Sequence, residues 1–298
     1  MEPTGSAPGL QPLGDPRLDP VRSSRILGAG SGRVEGRRAV LIAMLSTLVF
    51  FTVIVVAVLN SPGWLEVKHA FFNGARFRED LPGIVRSFWT NVKLFLTAEV
   101  FILALALFIA VLRSLPGPVF FPIRALAVGY TDLFRGVPTI LVIYILGFGA
   151  PSLQLQGIPK SPFFWAVVAL VLVYSAYVAE VYRAGIDSVH PSQVAAARSL
   201  GLSRWQSMRF VVLPQAVRRV IPPLLNDFIG LQKDTALVAS IGVVEAFRRS
   251  QINSAETFNF TPYLATAMLF VLITIPMARF TDWLIARGRR RREAGTAR

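Results

Sequence analysis

Cysteine is absent from the 298-residue chain, and histidine occurs only twice. The absence of cysteine excludes a disulfide framework, a thiolate nucleophile and a cysteine-ligated metal. The two histidines, His69 and His190, fall in different predicted loops, and neither lies near a carboxylate cluster at the spacing of metal ligands. The sequence therefore predicts no metal site and no cofactor.

Charge is also scarce. Charged residues make up 16% of the chain, against about 25% in a typical soluble domain. Hydrophobic residues make up 53%, which argues against an ordinary cytosolic enzyme. The charges that are present are mostly basic, with 31 Lys and Arg against 17 Asp and Glu. A basic excess is typical of nucleic-acid binding, so the positions of the charges have to decide what it means.

The apolar residues are grouped in six long blocks. The blocks are 39–59, about 90–112, 125–149, 163–186, 219–241 and 262–286. About 20 apolar residues are needed to cross roughly 30 Å of hydrocarbon as a helix. The blocks show no alternation of apolar and polar residues and are about twice the length of a barrel strand. We therefore predict an all-α, polytopic integral membrane protein with about six transmembrane helices.

Both ends of the chain differ from these blocks. Residues 1–38 are rich in proline and glycine and bury little apolar area, so we predict a disordered cytoplasmic tail there. Residues 287–298 form a basic cytoplasmic tail that contains four consecutive arginines. These arginines directly follow the last block, where they are expected to contact anionic lipid headgroups.

The distribution of basic residues predicts the orientation. If the amino terminus is cytoplasmic, the cytoplasmic segments hold 20 Lys and Arg and the opposite segments hold 7. Such a bias is the positive-inside rule, and it places both termini in the cytoplasm. No basic platform interleaved with aromatic residues is present, so we expect membrane lipids rather than nucleic acid as partners.

The longest predicted cytoplasmic loop, 187–218, carries the signals of two short helices. A proline suits the first turn, and an alanine-rich run of high helix propensity follows. Gly201 is a natural helix stop in the left-handed conformation. Ser203 and Gln206 form a capping box that begins the second helix, and Pro214 is expected to break that helix before the next span.

This loop resembles the EAA loop of ABC-transporter permease subunits, whose pattern is E-A-A-x3-G-x9-I-x-L-P. The matching positions, with every interval kept, are Ala195, Ala196, Ala197, Gly201, Val211, Leu213 and Pro214. Further segments are similar to the polar-amino-acid uptake branch of that family, and they are 135–138, 179–186, 200–206, 233–238 and 241–245. The resemblance covers about 85–286.

The resemblance implies a five-helix permease domain over 85–286 with its EAA loop at 187–214, preceded by an additional transmembrane helix at 39–59. It also implies two copies of an ABC ATPase subunit, a second permease subunit that is the same or related, and an extracytoplasmic amino-acid-binding protein. The location it implies is the bacterial plasma (inner) membrane. Because the chain has no G-x4-G-K-[S/T] loop, ATP hydrolysis is expected in the separate subunit, and the chain itself is not expected to be an enzyme.

The resemblance assigns ATPase coupling to nine residues of the loop. They are Ala195, Ala196, Ala197, Arg198, Gly201, Leu202, Trp205, Leu213 and Pro214. Ala195 stands where the family has an acidic residue, which removes a possible ion pair worth about 0–1 kcal/mol if exposed. Arg198, Arg204 and Arg209 either contact ATPase carboxylates or only mark the cytoplasmic side. Trp205 is either an apolar knob in an ATPase groove or an interfacial anchor.

Polar and charged residues inside the predicted spans are candidates for the substrate pathway, because such residues are costly in a membrane. They are Glu99, Glu180, Lys233, Asp234 and Thr235. Glu180 either forms an intrahelical ion pair with Arg183 or binds a cationic group of the substrate. Glu99 either has a partner such as Lys233 or Arg135, or faces an aqueous cavity. Lys233 and Asp234 break the fifth block, and they either line the pathway or form a structural kink.

Two other classes of protein are compatible with an apolar, helical chain. A stand-alone secondary transporter or channel for small polar solutes would need no ATPase, but it leaves the EAA spacing unexplained. A membrane-embedded enzyme would need a nucleophile with a base or a metal constellation, and the sequence shows neither. The sequence thus favours the permease subunit of a binding-protein-dependent importer of polar amino acids.

Overall fold

The computed structural model describes residues 32–154 and 156–296, and within these ranges the chain forms helices and turns but no strand. The α-helices are α1 Gly32–Leu59, α2 Trp64–Phe71, α3 Gly74–Arg113, α4 Phe121–Gly136, α5 Thr139–Tyr144, α6 Ala150–Ser152, α7 Pro162–Asp187, α8 Pro191–Ser199, α9 Arg204–Ser207, α10 Leu213–Asp234, α11 Ala246–Thr257 and α12 Thr261–Thr296. Two π-helical turns, Ile145–Gly149 and Met208–Val212, and a 3-10 helix, Thr235–Ile241, connect some of them. The all-α prediction is confirmed.

The chain divides into two compact units, Met1–Trp64 and Leu65–Arg298. The first unit contains α1, which includes the predicted additional span 39–59. The predicted disordered tail lies outside the described residues as far as residue 31. Its remaining part, 32–38, is helical and belongs to α1, because it continues the helix of the apolar block 39–59 toward the amino terminus and has no proline to stop it. The predicted basic tail is likewise helical up to Thr296 as the end of α12.

Four helical stretches of the described chain are long and apolar enough to cross a membrane. They are Arg38–Leu59, Trp64–Arg113, Pro162–Asp187 and Thr261–Gly288. A fifth is obtained if Phe121–Gly136 and Thr139–Ser152 are counted as one broken span. The predicted block 219–241 does not pass this test, because Asn226, Asp227, Lys233 and Asp234 make its helix α10 too polar. This helix packs against α7 and α12 instead of presenting an apolar surface on every side.

The broken span is bent by 103°, and proline explains the bend. Pro138 disfavours a helical conformation in the residue before it, and Val137 is extended with φ −94° and ψ 131°. Helix α4 therefore ends at Gly136 and α5 begins at Thr139. The predicted block 125–149 is a broken helix rather than one straight span.

Helices α3 and α7 pack against each other at the centre of the second unit. Helices α4, α5 and α10 pack against α7, and α11 and α12 pack against α3. Ala98 and Ala106 on α3 and Ala166 and Ala169 on α7 are fully buried. Small residues are typical of helix contacts in membranes, where close packing rather than water exclusion drives association. Helix α7 ends at Asp187, directly before the loop that contains α8 and α9 and is described below.

Gly185 on α7 marks a close approach of α10. A Cβ atom at this position would overlap with Cγ1 of Val220. We expect Gly185→Ala to lower the free energy of unfolding by about 1–3 kcal/mol, because overpacking pushes the helices apart. Thermal unfolding of the purified chain in detergent measures this loss. Gly129→Ala on α4, where a Cβ atom meets nothing within 4 Å, is the control and should not be destabilised. Equal losses in the two variants would contradict the packing argument.

Candidate functional site

The first half of the predicted coupling loop is α8, which ends at Gly201. Gly201 has φ +85°, the left-handed conformation that other residues rarely adopt. The amide of Leu202 donates to the carbonyl of Ala197 at 3.2 Å, and the amide of Gly201 donates to the carbonyl of Arg198 at 3.0 Å. Together these bonds make a Schellman motif, so the predicted helix stop at Gly201 is confirmed.

The second half of the loop begins with the predicted capping box. The amide of Gln206 donates to Oγ of Ser203 at 3.1 Å, and the amide of Ser203 donates to Oε1 of Gln206 at 2.8 Å. From there the chain continues through α9 and the π turn Met208–Val212 directly into α10. The predicted break at Pro214 is wrong. This proline lies in the first turn of α10, where a missing N–H is tolerated.

Three large apolar side chains point outward from this loop. Leu200, Trp205 and Phe210 are 83%, 70% and 62% exposed, and we call them the coupling surface. Contiguous exposed apolar patches mark interaction sites on proteins, so these three side chains are the candidates for contact with a partner on this loop. Seven of the nine predicted coupling residues are also exposed, namely Ala195, Ala196, Arg198, Gly201, Trp205, Leu213 and Pro214. Ala197 is buried and Leu202 is half-buried.

Hydrogen bonds connect the loop to the helices behind it. Nε2 of Gln215 on α10 donates to Oε1 of Gln193 on α8 at 2.7 Å. The guanidinium of Arg219 on α10 donates to the carbonyl of Ser188 at the end of α7. These bonds link α8 to α10, and α10 to the end of α7. Sequence reasoning missed these bonds, because their partners lie 22 and 31 positions apart.

Glu180 forms ion pairs through both of its carboxylate oxygens. Oε1 lies 2.7 Å from Nη2 of Arg183, as one of the two predictions stated. Oε2 lies 2.6 Å from Nη1 of Arg113 on α3, which also donates to Oγ1 of Thr131 on α4 at 3.2 Å. Both oxygens are thus engaged by arginine. The structure therefore favours a structural role for Glu180 over a substrate contact. Its ion pair with Arg113 links α7 to α3, and Arg113 in turn links α3 to α4.

Glu99 is half-buried on α3 and has a different environment from the one predicted. Among the described residues it forms no ion pair with Lys233 or Arg135, so the prediction of such a partner is wrong. The ionisable group near it is instead the carboxyl group of Asp227 on α10. Oδ2 of Asp227 is buried without a hydrogen-bond partner in the described chain. The alternative that Glu99 faces an aqueous cavity stays a prediction.

Lys233, Asp234 and Thr235 lie at the break between α10 and the 3-10 helix, as predicted. The structure does not bring their side chains to one site. Lys233 is exposed, and Oδ2 of Asp234 accepts a hydrogen bond from the Tyr174 hydroxyl at 2.9 Å. Thr235 is buried and accepts a hydrogen bond from Nδ2 of Asn91 at 3.0 Å. The hydrogen-bond partners of Asp234 and Thr235 are thus the neutral side chains of Tyr174 and Asn91.

A fully buried carboxylate next to this break was not among the predicted site residues. Glu245 accepts hydrogen bonds from Nδ2 of Asn91 at 2.9 Å, from the amide of Phe247 at 2.8 Å and from the amide of Arg248 at 2.6 Å. Oδ1 of Asn91 in turn accepts from the amide of Ala246 at 3.1 Å. Asn91 thus joins α3 to the 3-10 helix and to the start of α11. The sequence signal for this network is Asn91, a polar residue near the start of the block 90–112.

Residues 106–290 match the family described as the binding-protein-dependent transport system inner membrane component. The chain belongs to this family, and it is accordingly a permease subunit of an ABC importer. The alternative of a stand-alone secondary transporter or channel is therefore dropped.

Named relatives agree with this assignment. The probable amino-acid ABC transporter permease protein PatM of Vibrio harveyi is 32% identical over 210 residues, which are 70% of this chain and 93% of PatM. The probable glutamine ABC transporter permease protein GlnM of Bacillus subtilis (strain 168) is 34% identical over 185 residues, 62% of this chain and 82% of GlnM. A crystal structure of an amino acid ABC transporter with histidines aligns with a TM-score of 0.64 and 32% identity, covering 69% of this chain and 94% of that one.

Proposed function

We propose that this permease moves polar amino acids into the cell. Its relatives named above are amino-acid and glutamine permeases, which supports this class of cargo. The single observation that carries the coupling to ATP is the exposed coupling surface of Leu200, Trp205 and Phe210 on a rigid elbow. Those side chains have no folding role on the outside of a short loop, and they fit a partner protein that covers them.

We further propose the assembly in which the chain works. It lies in the bacterial plasma (inner) membrane with both termini in the cytoplasm, as the bias of basic residues indicates. It pairs with itself or a related subunit, two ATPase subunits bind the coupling loops, and an extracytoplasmic binding protein delivers the amino acid. ATP is hydrolysed in the ATPase subunits, and this chain supplies the pathway and the docking surface.

The proposed transmission starts at the coupling surface. Closure of the ATPase dimer displaces α8 and α9, which the Gly201 elbow holds at a fixed angle to each other. Because Gln193 and Ser188 are hydrogen-bonded to Gln215 and Arg219 of α10, the displacement moves α10 and the end of α7 together. Helix α10 ends at the break formed by Lys233, Asp234 and Thr235. In this proposal the movement of α10 opens the substrate pathway at the break either to the extracytoplasmic or to the cytoplasmic side.

The loop docks mainly through apolar contact in this proposal. Ala195 carries no charge, and the exposed arginines Arg198, Arg204 and Arg209 supply positive charge around the coupling surface. The guanidinium of Arg209 lies 5.7 Å from the ring centre of Phe210, which keeps both side chains on the same side of the loop. An ATPase groove with an apolar floor and an acidic rim is complementary to this arrangement.

Trp205→Ala tests the docking surface. We expect it to weaken the binding of the ATPase by about 30-fold or more, because a central tryptophan commonly contributes at least about 2 kcal/mol to an interface. Binding is measured by co-purification and by titration of the isolated ATPase with the permease in nanodiscs. Trp89→Ala, at a tryptophan that is 57% exposed on α3, is the control and should bind normally. Normal ATPase binding by Trp205→Ala would contradict the proposal that the Trp205 side chain inserts into an apolar groove of the ATPase.

Reconstituted transport tests the function itself. The permease, an ATPase and a binding protein encoded beside it are placed in proteoliposomes, and uptake of cationic, amide and acidic amino acids is followed with and without ATP. We expect uptake that requires all three proteins and ATP hydrolysis. Uptake driven by an ion gradient in the absence of the ATPase would overturn the proposal.

A further inference from the structure

A cleft of about 630 Å³ lies between the end of α3, one face of α4 and the end of α7. None of the predicted coupling residues and none of the predicted pathway residues lines it. Its charged lining residues are Arg113 on α3, Arg124 and Asp132 on α4, and Arg183 on α7. The rest of the lining consists of a glycine and three apolar residues of α4. The lining thus carries three positive charges and one negative charge beside an apolar strip.

The cleft lies where candidate membrane spans end. Arg113 is the last residue of the span Trp64–Arg113, and Arg183 lies near the end of the span Pro162–Asp187. Because a span fills the hydrocarbon core, its end lies at the level of the lipid headgroups. In the orientation proposed above, these are the headgroups of the cytoplasmic leaflet. The charged residues of the cleft therefore lie at the depth of lipid phosphates.

Arg124 is the arginine of the cleft that has no ion-pair partner in the described chain. Its Nη1 donates to the carbonyls of Leu115 and Gly117 at 2.6 and 2.8 Å. These bonds hold the guanidinium beside the turn between α3 and α4 and leave its other N–H groups available. A guanidinium has five N–H donors in a planar fork, which matches the oxygens of a phosphate. Arg124 can therefore bind an anionic ligand without losing a contact that the chain already makes.

The other two arginines of the cleft are positioned by a shared carboxylate. Oε2 of Glu180 lies 2.6 Å from Nη1 of Arg113, and Oε1 lies 2.7 Å from Nη2 of Arg183. Arg183 also lies 3.3 Å from Oδ2 of the exposed Asp187. The two arginines line the cleft, whereas Glu180 and Asp187 do not. These ion pairs thus fix two further guanidinium groups in the cleft wall, on α3 and on α7.

The face of α4 that lines the cleft has an apolar middle. Phe121, Ala125 and Val128 follow one another there at helical spacing. Phe121 is 64% exposed and Val128 is 38% exposed, so both offer surface to an apolar ligand group. Asp132 lies eight positions after Arg124, which is about 12 Å along the helix axis. The carboxylate and the unpaired guanidinium therefore lie toward opposite ends of this face, with apolar side chains between them.

We propose that this cleft binds an anionic glycerophospholipid, with its phosphate on Arg124 and an acyl chain along the apolar strip of α4. Charge complementarity selects the headgroup, since basic pockets between helices at the cytoplasmic side are typical sites for anionic lipids. Arg113 and Arg183 add positive potential, so the bound lipid joins α3, α4 and α7. Asp132 disfavours a second anionic group, and the site therefore fits a lipid with one phosphate better than a lipid with two. This inference goes beyond amino-acid transport and does not depend on the cargo.

The test uses the full-length chain in detergent and counts bound lipids by native mass spectrometry. Phosphatidylglycerol and phosphatidylcholine with identical acyl chains are titrated separately. We expect phosphatidylglycerol to bind at least about fivefold more tightly, and Arg124→Gln to remove most of that preference, because one arginine near a membrane surface contributes a factor of about five. Arg124→Lys, which keeps the charge but not the fork, should show a smaller loss. Asp132→Asn should strengthen the binding of cardiolipin, which has two phosphates, more than that of phosphatidylglycerol.

Arg78→Gln is the matched control. Arg78 is exposed near the start of α3, whereas Arg113 ends that helix, and Arg78 does not line the cleft. Its replacement removes the same charge and should leave the preference for phosphatidylglycerol within about twofold. Equal losses in Arg78→Gln and Arg124→Gln, or equal binding of the two lipids by the native chain, would overturn the site. Thermal unfolding of each variant without added lipid separates loss of binding from loss of fold.

The headgroup alone shows whether the ligand is a lipid or a soluble phosphate. Glycerophosphoglycerol, which lacks acyl chains, and inorganic phosphate are titrated against the native chain. We expect each to bind at least about tenfold more weakly than phosphatidylglycerol, because neither contacts the apolar strip of α4. Binding of either compound as tightly as phosphatidylglycerol would show that the cleft takes a soluble phosphate, and the assignment to a lipid would be wrong.

Discussion

Gly201→Val is expected to lower ATP-driven transport by at least about tenfold while the bound ATPase continues to hydrolyse ATP. The glycine has φ +85°, and an L-residue in this conformation costs roughly 1–2 kcal/mol, more for a β-branched side chain. The turn therefore relaxes to another geometry. Leu200 precedes the turn and Trp205 follows it, so the two parts of the coupling surface no longer keep their mutual angle. An ATPase bound to the segment on one side of the turn therefore no longer moves the segment on the other side.

Two variants show whether the conformation at this position is the cause. Gly201→Asn should retain most of the transport, because asparagine tolerates the left-handed conformation at helix ends. Gly117→Val imposes the same kind of strain at another turn, where glycine has φ +91° and open space around it, and should transport normally. Transport is measured as amino-acid uptake per ATP hydrolysed. An unchanged ratio in Gly201→Val would contradict the role of the elbow.

The sequence predicted those parts of the site that depend on neighbours a few positions away. The helix stop at Gly201 and the capping box of Ser203 and Gln206 are each made within one turn of the chain, and both are confirmed. The break at Asp234 is likewise a local effect of consecutive polar residues. Such signals depend on backbone conformation and hydrogen bonding within a few residues, so they need no knowledge of the tertiary contacts.

Partners that are distant in the sequence were not predictable in the same way. Charge alone makes Lys233 or Arg135 a reasonable partner for Glu99, but the helix packing places Asp227 near it instead. Arg113 lies 67 positions before Glu180 in the sequence. Because Arg113 directly follows an apolar block, the sequence predicts that it lies in a loop, but not that it pairs with Glu180. Which faces of two helices meet is decided by small residues and side-chain volumes along both helices. One sequence does not reveal that pairing.

The polar helix α10 shows a further limit of reasoning from hydropathy. Family resemblance and moderate hydropathy both predict a span that includes residues 219–234, yet Asn226, Asp227, Lys233 and Asp234 keep this stretch below the composition of a lipid-exposed helix. Inside a membrane protein a helix can carry such residues if its polar face meets protein or a pathway. Helix α10 packs against α7 and α12, with Asp227 and Asp234 half-buried and Asn226 and Lys233 exposed.

Glu245→Ala is expected to destabilise the permease far more than the replacement of an exposed carboxylate. The Glu245 carboxylate is fully buried and accepts hydrogen bonds from Asn91 and from the amides of Phe247 and Arg248. Its removal leaves one buried donor, from Asn91, and two part-buried amides without this acceptor, and an unsatisfied buried donor costs about 1–3 kcal/mol. A total loss of at least about 3 kcal/mol corresponds to a fall in melting temperature of roughly 6–12 °C for a domain of this size.

Glu256→Ala is the control for this prediction, because Glu256 is exposed near the other end of the same helix, α11. Its replacement should change the melting temperature little. Glu245→Gln should fall between the two, since its amide oxygen still accepts hydrogen bonds while its NH2 group faces donors. Because Asn91 connects α3 to the 3-10 helix through the same network, Asn91→Leu should destabilise to a similar extent, and the double variant Asn91→Leu/Glu245→Ala should lose less than the sum. Full additivity would show that the two side chains act independently, contrary to the network seen in the structure.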